Sequence, residues 1–263
     1  MPPEIEGYLI DIDGVLITGN QRIPGALEAI SYLQEKHLPF LLVTNTTRNS
    51  RITIWHQLKR LGFPVEANQV LTAPFAAIQW LRKKKADKIY LFLSGSAVND
   101  FKEFKITAAN PDYLVVGDMG QDLTFERLNM AFRLVMGGAK IVALQKNRYW
   151  QTSEGLTLDA GAVVAALEYA TNTRAVIVGK PRRDFFAQGA AALGLPLKKL
   201  GMVGDDLESD IAGSQKAGMT GIAVKTGKYR QNQLKKLGIK PDFTLKSIGN
   251  LPEFIDSNQG ESK

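Results

Sequence analysis

The chain is predicted to adopt an α/β fold, a Rossmann-like doubly wound parallel sheet with a smaller α/β module inserted in it. Three observations predict this. Short apolar runs alternate with segments of helical period from residue 8 to residue 224, the pattern that builds parallel sheets. Polar residues able to do chemistry follow directly after several of those runs, where such a sheet opens to ligands. A middle stretch of roughly 100 residues carries strands and helices of its own, enough chain for a domain.

Tyr8-Leu9-Ile10 reads as the first buried strand. Pro24 suits a first helical turn, and Leu27, Ile30 and Leu33 give Ala26–Glu35 a helical period. Pro39–Val43 is the second strand and ends in Thr44-Asn45-Thr46-Thr47. A helix over about Ser50–Leu61 stops at Gly62. Residues 75–174 then form the inserted module. Its helices are expected at Ala76–Lys84, Ala97–Phe104, Phe125–Met136 and Ala162–Ala170, and its strands at Lys88–Leu93, Tyr113–Val116 and Lys140–Leu144. The core is thus discontinuous, residues 1–74 and 175–263. It resumes with strands Ala175–Val178, Leu200–Val203 and Thr220–Val224 and helices Arg183–Leu193 and Asp210–Ala217. The polar tail Ser257–Lys263 is expected to be disordered.

Composition narrows the function classes. The 263 residues are 44% apolar and 22% charged, ordinary for a globular protein. No stretch approaches the roughly 20 apolar residues that cross a bilayer. Met1-Pro2-Pro3-Glu4 has neither a basic nor an apolar leader character, so no secretory signal and no membrane partner are expected. With no cysteine, disulfides and thiolate metal sites are excluded, which fits a cytoplasmic location. His37 and His56 are the two histidines and read as surface helix residues. The net charge of +7 has its clusters at Arg82–Lys85, Lys198-Lys199 and Lys235-Lys236. No aromatic residues interleave them, so nucleic acid is not expected as a partner, whereas a small phosphorylated substrate suits the positive field.

Four segments carry chemistry. The first is Asp11-Ile12-Asp13-Gly14-Val15-Leu16. A calcium loop opened by this string would need an oxygen ligand at its fifth position and a Glu at its twelfth, which here are Val15 and Arg22. Thr44-Asn45 reads either as donors to an oxyanion or as a helix cap. Lys180, in Gly179-Lys180-Pro181, reads either as a loop lysine or as a cation at the same sheet edge, neutralising a phosphoryl group and keeping Asp11 ionised. Gly204-Asp205-Asp206-Leu207-Glu208-Ser209-Asp210 holds more acids than a helix start needs, and all-oxygen donors indicate a hard cation, Mg2+ above all. Each segment follows an apolar run, so all four can meet at one sheet edge.

Together these segments resemble the four motifs of the haloacid dehalogenase superfamily. An insert between the second and third motifs is similar to the subfamily of NagD-like phosphatases with a C2-type cap. Lys146–Trp150, Gly155-Leu156, Ala165–Ala170 and Lys225–Tyr229 extend the resemblance from about Gly7 to Phe254. The resemblance implies a magnesium-dependent phosphatase acting on small phosphorylated molecules through an aspartyl-phosphate. It makes Asp11 the nucleophile and a metal ligand. It makes Asp13 the acid and base, with its carbonyl on the metal. Thr44 and Asn45 bind phosphoryl oxygens, Lys180 stabilises them, Asp205 binds Mg2+, and Asp206 and Asp210 act through metal-bound water or Lys180. The cap of that subfamily selects the substrate, and Asn147, Arg148 and Tyr149 are the candidates, with Asp118 and Tyr113 as lesser candidates that read rather as structural. The resemblance further implies a homodimer through the cap. A phosphotransferase or mutase would use the same residues, and a non-catalytic phospho-receiver is the alternative outside enzymes.

Overall fold

The structure is a computed structural model that describes residues 4–152 and 155–260. The chain divides into two compact units, one of Met1–Thr44, Trp55–Leu71 and Lys180–Lys263, the other of Asn45–Ile54 and Thr72–Gly179.

The first unit is built on a six-stranded sheet in the order Phe243–Leu245, Thr220–Val224, Leu200–Gly204, Gly7–Asp11, Phe40–Thr44, Val70–Thr72. Gly7–Asp11 runs parallel to both neighbours, with Leu9 opposite Met202 on one side and Leu41 on the other. The four central strands are buried along their whole length. That is why they read as unbroken apolar runs rather than alternating ones. The chain leaves Gly7–Asp11 toward Phe40–Thr44 and returns much later on its other side, so the strand order reverses there. Ligands bind at the carboxyl ends of strands at such a reversal.

Helices cover this sheet by the periodicity read from sequence. Ala26–Glu35 buries Ala26, Ala29, Ile30 and Leu33, and Arg183–Leu193 buries Phe185, Phe186 and Ala190. Each fully buried large side chain contributes about 1.5–3 kcal/mol. The C-terminal helix Leu251–Gly260 corrects the expectation of a disordered tail as far as Gly260. Its polar residues serve the helix, since Ser257 Oγ donates to the Glu253 carbonyl and Asn258 Nδ2 to the Phe254 carbonyl. Buried Leu251 and Ile255 hold its inner face. Residues 261–263 of the same expectation lie outside the described residues. His37 corrects a second one. It is exposed beyond the helix, in the left-handed region at φ 53°.

The second unit has a five-stranded parallel sheet in the order Val176–Ile177, Lys140–Ala143, Tyr113–Val116, Lys88–Phe92, Lys105–Ile106. This corrects the expectation that the strand in Ala175–Val178 resumes the core sheet: Val176 and Ile177 pair with Val142 and Ala143 instead. Side chains of a strand alternate between faces. Val115 joins Ala77, Leu81, Phe101 and Val142 on one face, while Leu114 and Val116 join Phe92, Ala131 and Leu167 on the other. Helices Ala73–Lys83, Phe125–Met136 and Ala160–Thr171 supply those layers, the first two capped by Thr72 and Thr124 side chains that accept from Phe75 N and Arg127 N. The helix expected over Ala97–Phe104 is a short 3-10 turn, Ser96–Phe101, that ends once Phe101 is buried. An antiparallel pair, Tyr149–Thr152 with Gly155–Leu158, stands apart from the sheet. Among the described residues no helix is long and apolar enough to cross a membrane.

Candidate active site

The loops after three central strands of the first unit converge. Asp11 ends its strand, Thr44 ends the next, and Asp205 follows Gly204 on the other side. Lys180 comes in from a separate loop and is 2% exposed. A buried ammonium must be paired or give up its charge. Here its Nζ lies 2.6 Å from Asp11 Oδ1 and 2.7 Å from Asp210 Oδ1. Burial alone lowers a lysine pKa, but the two carboxylates outweigh it and raise that of Lys180, so the ammonium is held charged.

The acids differ in role because their surroundings differ. Asp206 does the capping that an acid-rich helix start predicts, its Oδ1 accepting from the amides of Glu208 and Ser209 at 3.1 and 3.0 Å. Burial raises its pKa, yet Lys228 and Ser209 outweigh that and lower it. The turn it caps, Leu207–Ala212, is π-helical, with both Asp210 N and Ile211 N donating to the Asp206 carbonyl. This wide turn brings Asp210 inward, where it is fully buried. Asp11, Asp205 and Asp210 each offer a carboxylate oxygen within 4.8 Å of the others. Burial and mutual repulsion push Asp210 up to about 7 and Asp205 well above the usual range, with Lys180 and Lys228 opposing. Burial likewise raises Asp11 against the pull of Lys180.

Three crowded carboxylates with hard oxygen donors fit a small divalent cation. The further sign is Asp205 Oδ1, buried and without a hydrogen-bond partner among the described residues. An orphaned buried oxygen costs on the order of 1–3 kcal/mol, which a cation would remove. The residues therefore fit a bound divalent cation.

Asp13 is a more exposed residue than these acids, and its carboxyl, partly withdrawn from water, accepts from Thr44 Oγ1 at 3.4 Å. Loss of hydration raises its pKa, opposed by Lys180, Lys228 and Thr44. The structure thus brings Asp11, Asp13, Thr44, Lys180, Asp205 and Asp210 together within the first unit. Asn45, Asn147 and Arg148 belong to the second. Asn147 N donates to Gln145 Oε1, and the Arg148 guanidinium lies 5.9 Å from the centroid of the Tyr149 ring. Asp118 and Tyr113 do structural work. Asp118 Oδ1 accepts from Gly120 N at 2.7 Å, and Tyr113 meets Trp80 edge-on.

Sequence reasoning assigned no role to Lys228 or Thr226. Lys228 N donates to Asp205 Oδ2 at 2.6 Å, and Thr226 Oγ1 to the Gly14 carbonyl at 2.6 Å. Their signal was available. They follow the apolar run Thr220–Val224 as Asp205 follows Leu200–Gly204.

Comparison with known proteins identifies the family. Residues 8–107 match the model of haloacid dehalogenase-like hydrolases, and residues 177–251 match a HAD-hydrolase-like model. Haloacid dehalogenase-like hydrolase domain-containing protein 2 of Bos taurus is 36% identical over 251 residues, 95% of this chain and 96% of that protein. Phospholysine phosphohistidine inorganic pyrophosphate phosphatase of Homo sapiens is 34% identical over 258 residues, 96% and 93% of the two chains. Among solved structures, a p-nitrophenyl phosphatase from Archaeoglobus fulgidus superposes with a TM-score of 0.90 at 26% identity, covering 95% of this chain and 99% of that one. NagD from E. coli K-12 gives 0.85 at 25% identity, covering 94% and 98%. The chain belongs to the haloacid dehalogenase-like hydrolases, in the NagD-like branch, among whose members are proteins named as phosphatases.

Proposed function

We propose that the chain is a magnesium-dependent phosphatase that hydrolyses small phosphorylated molecules through a phosphoryl group carried on Asp11. The observation that carries this reading is the buried Lys180 ammonium, shared by Asp11 and Asp210 at 2.6 and 2.7 Å.

A carboxylate attacks an anionic phosphate poorly, because like charges repel. Lys180 places a fixed positive charge where the phosphoryl oxygens come to lie, and Thr44 and Asn45 supply hydrogen-bond donors. Bound by Asp11, Asp205 and Asp210, Mg2+ would add further charge stabilisation of those oxygens. The Asp11 carboxylate forms a bond to phosphorus as the bond from phosphorus to the leaving oxygen breaks, and Asp13 gives its proton to that oxygen. Asp13 then takes a proton from water, whose oxygen bonds to phosphorus as the Asp11 bond breaks. Inorganic phosphate leaves and Asp13 is again protonated. Dividing one displacement into two lowers each barrier. The solvent-exposed position of Asp13 and its Thr44 contact suit a group that must meet both leaving group and water.

On the same reading the inserted segment 75–174 is a cap, and Asn147 and Arg148 select the leaving group, Arg148 by bidentate contact with an anion. The named activities of the relatives on p-nitrophenyl phosphate, phospho-amino acids and pyrophosphate define the substrates to try first. A homodimer through the cap and a cytoplasmic location complete the reading, the latter supported by the absence of cysteine.

The test is phosphate release from a panel of phosphorylated metabolites and p-nitrophenyl phosphate, with Mg2+. Turnover is expected in the wild type, none in excess EDTA and none in Asp11→Asn. Undiminished turnover by purified Asp11→Asn would refute the role of Asp11, and phosphoryl transfer to a second organic acceptor would identify a mutase instead.

A further inference from the structure

The turn Thr226-Gly227-Lys228 touches the candidate site at three points. Lys228 N donates to Asp205 Oδ2 at 2.6 Å, and Thr226 Oγ1 donates to the Gly14 carbonyl at 2.6 Å. Lys228 Nζ lies 3.4 Å from Asp206 Oδ2. Asp205 Oδ2 sits in a slot walled by two glycine backbones. A Cβ on Gly14 would come within 2.1 Å of that oxygen, and one on Gly227 within 1.9 Å. Both glycines hold positive φ, 85° and 53°, so other residues would be strained there as well as obstructed.

This slot treats the two oxygens of one carboxylate differently. The terminal torsion of an aspartate is broad and roughly two-fold, so a free carboxylate swivels. Asp205 cannot do so cheaply, because Oδ2 is wedged between Gly14 and Gly227 and bonded to the Lys228 amide. Oδ1 is left buried with no hydrogen-bond partner among the described residues, in a residue that shares its surroundings with the carboxylates of Asp11 and Asp210.

We propose that Thr226–Lys228 is a positioning clamp for Asp205: its backbone takes Oδ2 and thereby fixes Oδ1 as a single-oxygen donor to a divalent cation. The proposal rests on the cation of the reading above and deepens it. Thr226 ties the turn to the loop that follows Asp11 and carries Asp13 and Gly14, so the slot keeps its width. The Lys228 side chain acts in the opposite sense. Its ammonium, 3.4 Å from Asp206 Oδ2, is a positive charge beside these carboxylates and competes with a cation for their field. The turn's backbone therefore recruits the metal while its one charged side chain opposes it.

The opposed signs make the test specific. Full-length protein stripped with EDTA and dialysed is titrated with MgCl2 alone, without substrate, by isothermal calorimetry. Thr226→Val is expected to weaken the Kd for Mg2+ about 10–100-fold, the usual effect of losing a residue that orients a metal ligand. Thr226→Ser, which keeps the hydroxyl, restores it. Gly227→Ala weakens binding at least as much; it carries the greater folding risk, so Thr226→Val decides alone if it does not fold. Lys228→Met keeps the backbone amide and tightens binding. Urea midpoints of the metal-free proteins separate these effects from loss of fold. A wild-type Kd in folded Thr226→Val overturns the clamp and leaves the metal reading intact. Weaker binding in Lys228→Met overturns the assignment of recruitment to the backbone. A wild type that binds no Mg2+ overturns both the clamp and the cation it serves.

Discussion

Lys180 and Asp11 meet as a buried ion pair at 2.6 Å, across 169 residues of sequence. Neither can reach water to be solvated there, so each depends on the other. Lys180→Met leaves Asp11 and Asp210 buried without their shared counter-charge. Breaking a buried pair by removing one partner costs about 3–5 kcal/mol. The urea midpoint of metal-free Lys180→Met is expected to fall accordingly, and turnover to vanish. A midpoint equal to the wild type would show that the pair contributes nothing to folding.

Asp13 predicts a split between the two halves of the reaction. Asp13→Asn keeps the acceptor for Thr44 but can neither give nor take the proton. The steady-state rate is expected to drop about 10²–10⁴-fold, the usual contribution of acid–base help. With p-nitrophenyl phosphate, whose leaving group needs little protonation, one equivalent of nitrophenol should appear rapidly before the slow phase. Rapid-quench kinetics would see it, and a slow first turnover would contradict the division of labour.

The second unit offers a pH test of its own. Burial raises the pKa of Glu168, but the Lys146 ammonium and the Ala175 amide outweigh it, so the folded value lies below the ordinary one. A depressed acid stabilises the fold above its unfolded pKa, about 4.3 for Glu, and loses that contribution as pH falls through the folded value. Because the pair is partly exposed, Glu168→Gln should cost only about 1 kcal/mol at pH 7. The difference in urea midpoint from the wild type should shrink below about pH 4. A difference that persists at pH 3 would point to packing rather than charge.

Arg148 is exposed, so Arg148→Ala should leave thermal unfolding within about 0.5 kcal/mol of the wild type. If it meets the leaving group, KM should rise about tenfold, or 1.4 kcal/mol, for substrates with an anionic leaving group. KM for p-nitrophenyl phosphate should hardly change. Equal shifts for both substrate types would remove Arg148 from substrate selection.

What the sequence showed, and what it hid, follows from where the free energy lies. Strands buried on both faces must be apolar throughout, so Tyr113–Val116 and Thr220–Val224 were legible to their ends. Helices with one buried stripe, such as Ala26–Glu35, Phe125–Met136 and Arg183–Leu193, announced themselves by period. Phe243–Leu245 did not, because an edge strand of three residues with half-buried ends carries no such run. Gln231–Leu237 buries no residue, so its period had nothing to mark. In the site, residue types exposed the acids and Lys180, since charges after apolar runs need a reason to be there. The clamp on Asp205 stayed hidden because its hydrogen bond comes from a backbone amide, which every residue but proline possesses.

The central strand Gly7–Asp11 takes one neighbour, Leu200–Gly204, from almost two hundred residues further along. During synthesis, then, the first strand waits with one side unpaired while the inserted segment is made. Long-range parallel pairing of this sort is slow and leaves sticky intermediates. A nascent chain halted before residue 180 would hold Asp11 yet lack its counter-ion, and would expose unpaired strand edges to chaperones until Lys180 and Leu200–Gly204 have been made.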